Sequence, residues 1–198
     1  MKKSAACAVA FSAVALGVTA FVAGAPAASA DPVTGGASTI TVPVGTEVAL
    51  AKAGIVEIPL SPASAGYDDA AQTVTETFPV TGGTARVSTL TGHLDHSGGL
   101  LVVNYKTGKS VQLGSLVFDL FRDQLTAVPS GASAPVALFD ARGTRSVHRD
   151  GDNNSFSATD LQVDAAGAAY LDDALGTSYF VAGQSAGSFA ANWVYSTS

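Results

Sequence analysis

Five consecutive residues, His93-Leu94-Asp95-His96-Ser97, carry the side-chain types of a hydrolytic triad: a nucleophile, a base and a carboxylate to orient it. Their spacing argues against that use. The flanking pattern predicts a strand, and successive side chains of a strand point to opposite faces. His93, Asp95 and Ser97 then share one face, Leu94 and His96 the other, so adjacent residues point away from each other and cannot by themselves form the chain of nucleophile, base and orienter. Nor is a GxSxG elbow expected to present a nucleophilic serine. His96 is expected to pack on an apolar face with a hydrogen-bonding partner, and His93 to face solvent or a loop. A histidine metal site would need His93 or His96 to meet His148, with Asp95 or Asp150 completing the shell. Asp150-Gly151-Asp152-Asn153-Asn154-Ser155 alternates oxygen-bearing side chains in the manner of a calcium loop. It lacks glycine at the sixth position, and Leu161 stands at the twelfth, where an EF-hand has glutamate. The run reads more simply as a hairpin turn.

The elements that must position these residues are mostly strands. Thr39–Val42, Ile55–Leu60 and Thr73–Phe78 read as short strands, with a helix over Glu47–Ala53 capped by Thr46 and stopped at Gly54. Asp31–Ser38 is expected to be a mobile lead-in, and Ser61–Ala71 a surface loop. Gly82-Gly83 divides the next stretch from a meander: Leu90–His96, a glycine break at Ser97-Gly98-Gly99, Leu100–Tyr105 as an apolar run buried on both sides, a hairpin at Lys106–Lys109, and Val111–Phe121. Leu125–Val128 and Val136–Phe139 follow, then a charged arm over Arg142–Asn154 and a strand over Phe156–Val163. Asp164 can cap a helix over Ala165–Leu175 that ends at Gly176, and Tyr179–Ala182 and Ser188–Tyr195 close the chain as strands. Two segments share the order strand, helix, glycine, strand: Val42, Leu50, Gly54 and Ile58 correspond to Val163, Leu171, Gly176 and Phe180.

Composition sets the compartment and removes several functions. Lys2 and Lys3, an apolar run over Ala5–Val22 and Ala28-Ser29-Ala30 make residues 1–30 an expected secretory signal peptide, which leaves 168 of the 198 residues. That is one domain, residues 38–198 after the lead-in at 31–37, and it buries roughly two-thirds of its unfolded surface. The cleaved chain has 8 basic and 16 acidic residues, a net charge of −8, which disfavours nucleic acid and anionic lipid as partners. The one cysteine, Cys7, lies in the signal peptide, so the domain has no disulfide and no thiolate chemistry.

The segments FPVTGG, LTGHLDHSGGLLV, VQLGSLVFDL, QLTAV and VALFD together resemble secreted actinobacterial β-proteins and, more distantly, the haem-transport-associated (HtaA-type) domain. The likeness rests on glycines and alternating apolar positions over about half of the cleaved chain. It implies a β-sandwich that binds haem through a tyrosine assisted by a histidine. The family's tyrosine lies in a Trp-led segment with an SF pair, ahead of the FPxTGG-like strand. Only Tyr67, in SAGYDDA, stands there in this sequence. The family's histidine follows the meander in a GHxG context, where Asn104-Tyr105-Lys106 stands here, and His93 and His96 come earlier.

The fold expected is all-β and mostly antiparallel, a sandwich or open barrel with two short helices. The function expected is a secreted or cell-surface, non-enzymatic binding protein, without stable membrane insertion after cleavage. Its partner is a small ligand or an extracellular protein, and no motif demands a cofactor. The alternative that the resemblance implies is haem binding in iron acquisition, with His96, His93, Tyr67 and Tyr105 as ligand-binding candidates and Tyr179 as a further tyrosine. A third reading is an inhibitor or partner of a secreted enzyme, contacting it through the Arg142–Asn154 arm.

Overall fold

The computed structural model describes residues 30–195, so residues 1–29 of the expected signal peptide lie outside the described residues. Eleven strands and two helices follow in the order β1 (Asp31–Pro43), α1 (Val44–Ala53), β2 (Ile55–Leu60), β3 (Ser64–Asp68), β4 (Thr73–Arg86), β5 (Thr91–His96), β6 (Gly99–Asn104), β7 (Lys109–Asp119), β8 (Gln124–Pro129), β9 (Val136–Asp150), β10 (Asn153–Val163), α2 (Ala165–Leu175) and β11 (Ser185–Tyr195). Strands β7, β5, β4, β1, β11, β10, β9 and β8 are hydrogen-bonded in that order, and β8 pairs back onto β7. The antiparallel sheet thus closes into an eight-stranded barrel with extra strands, all-β with two short helices. Of the two architectures expected it is the barrel, and a closed one, which leaves no edge along those eight strands.

Alternation in the sequence becomes inside and outside of this barrel. Leu116, Phe118 and Leu120 point inward, while Phe121 is 76% exposed at the tip of the β7–β8 turn. Phe118 stacks obliquely on Phe189 and Phe156, with ring centroids 4.5 and 5.1 Å away. The pattern in β10 changes phase once. Phe156 and Ala158 are buried, and so are Leu161 and Val163, because in the pairing with β11 the three steps from Ala158 to Leu161 oppose the two from Phe189 to Gly187, and this extra residue of β10 returns the later pair to the interior.

Several expectations change. β1 begins at Asp31, where residues 31–37 were to be a mobile lead-in, and is paired on both edges, with Asp31 opposite Ala85 and Val33 opposite Tyr195. Ser64–Asp68 forms β3 on β4 where a loop is expected; all five residues are exposed, so no apolar pattern marks it. β4 runs through Gly82-Gly83, and Gly83, at φ 110°, lets the chain pass close to His93. β6 alternates between buried and half-buried residues instead of being buried on both sides. Tyr179–Ala182 is no strand. Val163 instead accepts from the Gly183 N–H at 2.9 Å, and its own N–H donates to the Gln184 carbonyl. Only the first of the two strand-helix-strand segments is therefore complete, although both helices end on a left-handed glycine, Gly54 and Gly176.

Three features lie outside the barrel circuit. β3 forms a hairpin on β4, β6 pairs with the first half of β7, and β2 pairs with β6. The β2–β6 ribbon so formed is tied to α2, because the Asn104 side-chain amide and the Thr107 hydroxyl both donate to the Leu175 carbonyl, at 3.1 and 2.8 Å. α1 packs on β2 and β1, and α2 packs on β9 and β7.

Candidate functional site

The four residues singled out in the sequence do not come together. His96 points into the barrel, where its Nδ1 donates to the Leu116 carbonyl at 3.2 Å and its Nε2 accepts from the Ser38 hydroxyl at 2.7 Å. Burial lowers its pKa, so the ring is neutral, and neither nitrogen is free for a metal. His93 lies on the outer face with its Nε2 3.7 Å from Asp95, and both side chains are 46% exposed. Tyr67 is exposed on β3, and its hydroxyl accepts from the Gln72 amide at 2.9 Å. Tyr105 is exposed past the end of β6, and its hydroxyl donates to the Ala51 carbonyl of α1. His148 lies on β9 beside the turn into β10, paired with Ser155. Among the described residues no three of His, Cys, Asp and Glu form a group that could hold a metal ion.

The 2.7 Å contact of Ser38 and His96 has the spacing of a nucleophile and its base. Its setting is structural. Both residues are buried, the group orienting the imidazole is a main-chain carbonyl, and neither residue lines the three principal clefts.

Chemistry gathers instead at one mouth of the barrel. Ile40 and Val42 from β1, Leu50 from α1, Leu100 from β6, Phe139 from β9, Val163 from β10 and Phe180 make an apolar cleft. The gaps between its atoms and the solvent at its opening together come to about 490 Å³, but only about 30 Å³ is wide enough for water, one or two molecules' worth. Two carboxyl groups line it: Glu76 of β4, 4% exposed, and Glu57 of β2. Among the described residues neither takes part in a hydrogen bond or ion pair. Burial, with the charge of Glu57 next, pushes Glu76 up to about 8; burial, with Glu47 next, pushes Glu57 up to about 7. Tyr179, Gln184 and Ser185 form the rim. Burial above all, and then the nearby glutamates, raise the Tyr179 pKa, which the hydrogen bond from Gln184 partly offsets.

Neither glutamate was singled out in the sequence. Glu76 alternates with Val74 and Phe78 on a strand face, which is the signal that could have marked it as buried. The expectation that no GxSxG elbow occurs needs correcting in one respect, since Gly183-Gln184-Ser185-Ala186-Gly187 has that spelling. It leads into a strand instead of a helix, and Ser185 Oγ donates to Asp160 at 2.6 Å with no histidine lining the pocket.

A closed eight-stranded barrel with a β2–β6 ribbon and two short helices has counterparts among solved structures. The C-terminal domain of HtaA from Corynebacterium glutamicum superposes with a TM-score of 0.58 over 84% of this chain and 99% of that one, at 14% identity. The fold of this chain is similar to that of HtaA domains. A domain-swapped dimer of a variant of the same HtaA C-terminal domain gives 0.50 over 77% and 87%, at 12% identity. The HtaA N-terminal domain gives 0.46 over 82% and 98%, also at 12% identity. No protein-family model and no curated protein matches the chain. Among the described residues no helix is long and apolar enough to cross a membrane.

Proposed function

We propose that this chain is a secreted, non-enzymatic binding domain that takes a small, largely apolar ligand into the mouth pocket. The observation that carries the reading is Glu76: a carboxyl buried among apolar walls with no partner, in an interior whose other buried residues include His96 and Asn104 with their hydrogen bonds made. The hydroxyls with the spacing of a nucleophile are spent on structure, Ser38 on His96 and Ser185 on Asp160. The test compares the cleaved protein with Ala186→Trp, which fills the rim, in a thermal-shift screen of small amphiphiles. The wild type is expected to gain stability with a subset that leaves the variant unmoved. Equal response of the two proteins would sink the reading.

Haem is the second reading, supported by the resemblance of the glycine-rich central segments to HtaA-type domains together with the shared fold. The residues fit it poorly. Both His96 nitrogens are engaged, Tyr67 and Tyr105 are exposed with hydroxyls bonded elsewhere, and Tyr179 lies at a pocket with about 30 Å³ of water-sized space, too little for a porphyrin. Haemin titrated into the purified protein should give a Soret band that Tyr179→Phe removes if this reading holds. A featureless difference spectrum would remove it.

A further inference from the structure

We infer that the mouth pocket is built for a slender cationic amphiphile, of the alkylammonium class, whose chain lies against the apolar walls and whose charge is met by the carboxyls of Glu76 and Glu57. The inference rests on the binding reading above and adds the charge and shape of the ligand.

The charge follows from what faces the carboxyls. Among the described residues no Lys, Arg or His lines the pocket. The charges acting on Glu76 are those of Glu57 and of Glu47 on α1, and Glu47 also acts on Glu57, while Tyr179 on the segment after α2 feels both Glu57 and Glu47; all of these groups are neutral or negative. Buried carboxyls are rarely left without a partner, and here both face a cleft that is lined by no basic side chain among the described residues. An anionic ligand would add a third like charge in a low-dielectric cleft, a neutral one would leave the carboxyls as they are, and a cation supplies the missing partner. Phe139, Phe180 and Tyr179 put aromatic rings on the same pocket, which also favours a cation.

The shape follows from the space. About 30 Å³ of the cleft admits a water-sized group, which is room for an ammonium head and not for a flat macrocycle, and the aliphatic chain then lies along the apolar residues where the cleft opens to solvent. Empty, the pocket meets its own like-charge problem by keeping protons on both carboxyls. An ammonium must displace at least one of them, so capture is coupled to proton release and strengthens as the pH rises through the carboxyl range.

The experiment titrates octylammonium, octanol and octanoate into the cleaved protein by calorimetry, at about pH 9, above both carboxyl values, and at about pH 6, below them. At the higher pH octylammonium is expected to bind at least ~10-fold tighter than octanol, with octanoate not bound, and to lose that advantage at the lower pH. Near neutrality the heat should depend on the ionisation enthalpy of the buffer, reporting a released proton. Glu76→Gln should weaken octylammonium by ~10-fold while leaving octanol unchanged; Glu57→Gln serves the same comparison should Glu76→Gln not fold. Octanol binding as tightly as octylammonium, or binding without proton release, overturns the cationic inference and leaves the binding reading standing. Binding of none of the three to wild type overturns both.

Discussion

At the scale of residues, the interior of the barrel separates polar groups that are satisfied from those that are not. Ser38 and His96 complete each other, so Ser38→Ala strips an acceptor of its donor inside the barrel. It is expected to cost about 1–3 kcal/mol in urea denaturation, with no loss of any activity. Lowering of the His96 pKa below 6.5 adds a stability term that is full above that pH and is lost as pH falls below it. Glu76 has the opposite sign. Its folded pKa lies above its unfolded value of 4.5, so the native state holds a proton that the unfolded chain has shed. The cost to stability begins as pH rises past 4.5 and is fully developed above about 8. Glu76→Gln should therefore raise Tm clearly at about pH 9 and hardly at all near pH 4.5. Equal shifts at both values would mean that the carboxyl is ionised and solvated in the native state. The alternation that gives His93 and His96 opposite faces was legible in the sequence. The partners of His96 were not, because Ser38 and Leu116 are 58 and 20 residues away.

At the scale of elements, local chemistry located both helices. Asp164 caps α2 through Oδ1, 2.7 Å from the Ala166 N–H, and Gly54 and Gly176 end α1 and α2 in the left-handed conformation. α1 starts three residues earlier than expected, at Val44, with Pro43 instead of Thr46 in the cap position and no side-chain cap bond. Glycine also sets how α2 sits on the barrel. A Cβ on Gly167 would lie 2.7 Å from the Ala137 and Leu138 carbonyls of β9. Gly167→Ala should accordingly lower Tm even though alanine favours the helix by about 1 kcal/mol; a rise in Tm would show that α2 can lift off β9 freely. Elements that lack apolar alternation escaped the sequence: β3 is exposed throughout, and the first residues of β1 are rich in glycine and threonine. Their backbones are held by neighbours already in the sheet, which side-chain pattern does not report.

For the whole molecule, barrel closure joins the first described strand to the last, β1 to β11, and β7 to β8. A domain closed this way should unfold as one unit. Trp193, the only tryptophan and 1% exposed, reports on its interior. Its fluorescence should red-shift in urea with the same midpoint as the far-ultraviolet circular dichroism, and adding reductant should change nothing, because residues 31–198 contain no cysteine. Separated midpoints would indicate that the ribbon and helices unfold apart from the barrel. Alternation, turn glycines and caps by themselves determined that the chain is β-rich, where its two helices lie and which face of most strands is buried, since each of these depends on neighbours a few residues apart. Closure, the merging of Gly82-Gly83 into one long strand and the meeting of Glu57 with Glu76 were decided only by the tertiary structure. Those depend on which strands pair across long stretches of chain, and pairing is fixed by the sum of the packed interior instead of by any local segment. The same dependence moved the candidate site from the histidines of β5 to the carboxyls at the mouth: two glutamates that look solvated in the sequence become a site once α1, β2 and the segment after α2 enclose them.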